Sequence, residues 1–69
     1  MGGIKGFWRH IENGCIYAIE HTPFGDVTGA VGPLDPDALK ALDDYTYTGK
    51  ILVWIEEALA QNKLRRFNP

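Results

Sequence analysis

The chain has 69 residues, 45% of them hydrophobic, 12% aromatic and 23% charged, a composition that excludes a disordered tail and holds a single domain. With Cys15 the only cysteine and His10 and His21 the only histidines, an internal disulfide is excluded and neither a four-ligand zinc site nor another cofactor is expected. Seven Lys and Arg against nine Asp and Glu give a net charge of −2, without the basic excess that duplex nucleic acid demands, so nucleic acid is disfavoured as a partner.

Residues 1–4, Met-Gly-Gly-Ile, lack the charged start and apolar run of a secretion signal. Gly2 follows the initiator Met, but Gly6 stands where a myristoylation motif needs Ser or Thr. The longest apolar run, residues 51–55, is far too short to span a bilayer, and a single thiol agrees with a reducing compartment. A soluble, cytoplasmic protein without a membrane partner is expected.

Residues 6–12 and 15–21 are rich in aromatic and β-branched side chains and flank Asn13-Gly14, the dipeptide that best favours a two-residue type I′ turn. The reading is a hairpin in which Glu12 faces Cys15, His10 faces Tyr17 and Trp8 faces Ile19. One face then carries Trp8, His10, Cys15, Tyr17 and Ile19, and the other Phe7, Arg9, Ile11, Ile16, Ala18 and Glu20. Neither face is plainly a solvent face, so both need cover. A Pro-Gly turn at 22–25 leads to a third strand at residues 26–31, with glycines that permit a bulge.

Gly32-Pro33 breaks the strand pattern. Asp35 as N-cap, Pro36 at the first helical position, Asp37 at the positive helix end and a Leu34/Leu39 staple predict a helix at 36–44. Tyr45-Thr46-Tyr47-Thr48-Gly49 interrupts, and Thr46 or Thr48 caps a second helix at 50–62. Its apolar positions 51, 52, 54, 55, 58 and 59 span an arc of about 160°, too wide for one neighbour. Asn62 is placed to close this helix in a left-handed conformation, and residues 63–67 then run extended beside a sheet edge.

His10 and Cys15 share a hairpin face, but Glu12 beside the thiol disfavours a thiolate and no third group orients the imidazole, so a packed cysteine and a cross-strand histidine outweigh a catalytic pair. The pairs Asp35/Asp37 and Asp43/Asp44 lack calcium-loop spacing, and Gly25, Gly29 and Gly32 lack the strand–loop–helix order of a phosphate loop. Charge is uneven: residues 1–34 carry −1 (Lys5 and Arg9 against Glu12, Glu20 and Asp26). Residues 35–62 carry −4 (Lys40 and Lys50 against Asp35, Asp37, Asp43, Asp44, Glu56 and Glu57), and residues 63–69 carry +3 (Lys63, Arg65 and Arg66). Arg9, Trp8 and Phe67 with this basic end form a guanidinium–aromatic cluster able to hold an anion or stack on bases.

The sequence therefore reads as an α+β domain over residues 1–69. A three-stranded antiparallel meander is followed by two helices packed on one of its faces, in the order β-β-β-α-α, with a short extended C-terminal segment. Its expected role is a non-catalytic protein-interaction module, self-associating as a homodimer through the uncovered sheet face or the long helix. The candidate interface or binding residues are Trp8, Arg9, His10, Tyr17, Ile19, Tyr45, Tyr47, Trp54, Arg65 and Arg66. The alternative is a small-ligand or anion binder with a pocket of Trp8, His10, Tyr17 and Arg66.

Overall fold

A computed structural model describes residues 3–69, so the reading of Gly2 lies outside the described residues. The element order is β1 (Ile4–His10), β2 (Ile16–His21), β3 (Val27–Leu34), a 3₁₀ turn (Leu42–Asp44), α1 (Leu52–Ala60) and β4 (Leu64–Phe67). The strands form one antiparallel sheet in the order β3-β2-β1-β4. The α+β class therefore stands, with four strands and one α-helix in place of three and two.

The hairpin forms, but two residues out of the expected register: Trp8 faces Tyr17, not Ile19, and His10 N–H donates to Cys15 O at 2.9 Å. A shift of two preserves the side-chain faces, so the two groups read from sequence are the two faces observed. The loop holds residues 11–14 because only Gly14 takes positive φ (73°), whereas a type I′ turn needs it at both central residues. Asn13 instead accepts the Cys15 N–H on Oδ1 at 2.8 Å. Ile11 N–H donates to Lys63 O at 2.8 Å, so the residue that leads into β4 captures a donor that a tighter hairpin would have spent on β2.

β3 continues past Gly32-Pro33 to Leu34, with register shifts that absorb the irregularity. Gly32 is required there, since a Cβ would lie 2.4 Å from the Tyr17 ring and 3.0 Å from Ile16 O.

No α-helix forms at 36–44. Its start signal works locally, Asp35 Oδ1 accepting the Asp37 N–H at 2.9 Å and Asp35 O the Ala38 N–H at 3.1 Å, but one turn is all it nucleates. The segment stretches instead across the sheet face of Phe7, Ile16 and Ala18, on which Leu39, Leu42, Tyr45 and Tyr47 pack. Lys40 N–H donates to the Tyr45 hydroxyl and the Tyr47 hydroxyl to Leu42 O, so side chains hold a crossing that a helix would have held by its own backbone.

Helix α1 covers the opposite face, pressing Ile55 and Ala58 on Tyr17, Ile19, Ala30 and Leu64. It ends as read: Asn62 has φ 57°, Lys63 N–H reaches Ala58 O and Asn62 N–H reaches Leu59 O, the two bonds of a Schellman cap. That cap turns the chain into β4, which lies along β1. The expected placement of both helices on one face is thus corrected. One helix takes one face, an irregular strap takes the other, and the reason for invoking a second copy over a bare face falls away.

Both edges of the sheet are also partly covered. On β3, Thr48 exchanges two backbone hydrogen bonds with Ala30 (3.0 and 3.2 Å). On β4, the Arg65 guanidinium donates to Asn62 O and Leu64 O. Such side-chain and loop cover is how proteins blunt edge-to-edge pairing. No helix among the described residues is long and apolar enough to cross a membrane.

Candidate functional site

A cleft of about 380 Å³ opens between the β1–β2 loop and the outer flank of α1, lined by His10, Glu12, Asn13, Trp54, Glu57, Ala58, Gln61 and Lys63. Each element supplies its part for a local reason. The β1–β2 loop carries Glu12 and Asn13, and helical spacing aligns Trp54, Glu57, Ala58 and Gln61 on one flank.

His10 is the pivot. It is 5% exposed, and its ring stacks on Trp54 with centroids 5.1 Å apart and planes 18° apart. The Glu12 N–H donates to Nδ1 at 3.1 Å. A neutral imidazole held this way carries its proton on Nε2, as a donor. Tyr17 lies behind, 5.2 Å from Trp54, with its hydroxyl accepting from Asn13 Nδ2 at 3.5 Å, and burial holds its phenol above the ordinary tyrosine range. At the mouth, Lys63 Nζ pairs with Glu12 at 3.1 Å, and Glu57 adds a second carboxylate. The lining thus carries one more negative charge than positive. It can offer acceptors to a neutral or cationic group and one imidazole donor, which does not favour an anion.

Of the residues singled out from sequence, His10 and Trp54 line the cleft, and Tyr17 packs behind Trp54. Ile19 is wholly buried and Tyr17 nearly so, which makes both core residues and not surface contacts. Tyr45 and Tyr47 belong to the strap, and burial pushes Tyr47 up to about 12. Trp8 and Arg66 lie apart from the cleft as a cross-strand pair on β1 and β4, the guanidinium 5.1 Å from the indole centre, so the pocket of Trp8, His10, Tyr17 and Arg66 does not form as one site. Arg9 pairs with Arg65 on the other face, its guanidinium 5.9 Å from the Phe67 ring.

Sequence reading passed over Glu57, Gln61 and Asn13 as surface or turn residues, and only the i, i+3, i+4 alignment of 54, 57, 58 and 61 carried a signal for two of them. Phe24 is the most exposed large apolar side chain among the described residues, at 92%. Phe24 sits on a turn fixed by Thr22, whose Oγ1 accepts the N–H groups of both Phe24 and Asp26 at 3.2 Å.

Among the described residues no group of three metal-ligating side chains converges. Cys15 Sγ points to Asn13 O at 3.9 Å. Comparison with known proteins found no match to a family model, to a curated protein or to a solved structure.

Proposed function

We propose that this chain is a non-catalytic recognition module that seats a small neutral or cationic group, free or borne by another protein, in the cleft between the β1–β2 loop and α1. The observation that carries the reading is the aromatic wall of His10, buried and stacked on Trp54, standing beside the Glu12 and Glu57 carboxylates in the same cleft lining. Aromatic walls with a carboxylate excess suit an ammonium or amidine better than a phosphate. A binding role is favoured over catalysis because a backbone N–H, not a carboxylate, orients the imidazole, and the thiol turns to a carbonyl.

The test is titration of the full chain with a panel of small amines, amidines and carboxylates, followed by tryptophan emission and by the NMR signals of His10 and Trp54. Saturable shifts with amines that vanish in Trp54→Ala support the reading. Shifts confined to carboxylates, or no saturable shift across the panel, overturn it.

A protein-docking role is favoured separately by Phe24, an exposed ring on the β2–β3 turn whose backbone Thr22 holds. Homodimerisation is no longer the part of that role best supported, since the chain itself covers both sheet faces.

A further inference from the structure

We propose that β4 is a docking edge for an extended acidic peptide, guarded by Arg65, whose guanidinium holds the edge carbonyls until a carboxylate claims it. His10 N–H points to β2 and Ile11 N–H to Lys63, so alternate β1 residues serve β4 and the pair Arg9/Arg65 is the hydrogen-bonded one. Leu64 and Arg66 therefore turn their backbone groups to the open side. Arg65 Nη1 donates to two carbonyls on that side, Asn62 O and Leu64 O.

Charge identifies the occupant. The ion pairs among the described residues are Lys5–Asp43 and Lys63–Glu12, so Arg9, Arg65 and Arg66 meet no carboxylate in a chain that carries nine. Arg9 and Arg65 stand directly opposite each other, a like-charge pairing that costs stability and is relieved by an incoming anion. Arg66 rides on Trp8 on the other face. A strand added to β4 sends successive side chains to alternate faces, so adjacent acidic residues meet Arg9/Arg65 on one side and Arg66 on the other. A second copy of this edge brings the same cations and is repelled, and the net charge of −2 disfavours a long polyanion. The site is independent of the cleft.

The experiment titrates the ¹⁵N-labelled full chain with the blocked peptide Glu-Val-Glu-Glu-Val-Glu, its Gln-for-Glu analogue and an oligothymidylate. The expected result is a saturable shift of the Leu64 and Arg66 amides with the acidic peptide alone. It weakens about threefold in Arg66→Ala and about tenfold in Arg9→Ala/Arg65→Ala, persists in Arg65→Lys, and falls several-fold as salt rises. Trp54→Ala leaves it unchanged, which separates it from the cleft. Equal binding of the Gln peptide, tighter binding of the oligothymidylate, shifts of arginine side chains without the Leu64 and Arg66 amides, or no binding at all overturns the proposal.

Discussion

The His10 ring lies nearly parallel to the Trp54 indole, 5.1 Å between centres, so one strand residue and one helix residue together wall the cleft. Removing the indole takes away both the stack and the wall. Trp54→Ala is expected to cost about 1–2 kcal/mol and to lower the melting temperature by roughly 5–10 °C, with the fold retained by circular dichroism. His10→Ala leaves the Glu12 N–H unpaired as well, and is expected to cost more than Trp54→Ala in the same melt.

Trp8 carries the one buried side-chain donor without a partner among the described residues, its Nε1. An orphaned N–H of this kind costs about 1–3 kcal/mol. Trp8→Phe, which keeps the ring beneath Arg66 and drops the donor, is expected to be neutral within about 1 kcal/mol. Trp8→Ala is expected to be strongly destabilising. Urea midpoints of the two variants check the contrast.

Much of this fold is written in local pattern. The hairpin faces, the Asn62 terminator and the extended tail all follow from rules that act within a few residues, and each is present. What local pattern did not carry is competition. The Asp35 cap is real and bonds as a cap should, yet the strap it opens gains more by laying Leu39, Leu42, Tyr45 and Tyr47 on the sheet than by completing a second turn. The hairpin register likewise yields to Lys63, a residue some fifty positions away that takes the Ile11 N–H. The cleft was half legible. His10 and Trp54 stood out by type, whereas Asn13, Glu57 and Gln61 become site residues only once the loop and helix are set side by side.

Gly32→Ala tests the closeness of β3 to Tyr17. With a Cβ placed 2.4 Å from the ring, the strand or the tyrosine must move, and a loss above about 2 kcal/mol is expected. Asn62→Gly, at φ 57°, is expected to be neutral or slightly stabilising. Thermal melts of both variants give the comparison.

Burial first, then the nearby charges of Glu20 and Asp43, raises Tyr47 to about 12, against about 10 in an unfolded chain. Below pH 10 the phenol is neutral in both states and its contribution is complete. Between pH 10 and 12 the unfolded chain releases a proton that the folded chain keeps, so stability falls across that window. Lys5, raised chiefly by its hydrogen bond to Asp43, acts in the same direction. Tyr47→Phe is expected to flatten the alkaline fall in the urea midpoint between pH 9 and 11 without abolishing it. It also costs about 1 kcal/mol at pH 7, through the lost bond to Leu42 O.

The central structural claim is that α1 and the strap at residues 35–48 close the two faces of the sheet from within one chain. Urea unfolding followed at protein concentrations differing a hundredfold reads this directly, because folding that depends on a second copy shifts with concentration. One midpoint is expected at both concentrations. A midpoint that climbs with concentration would contradict it.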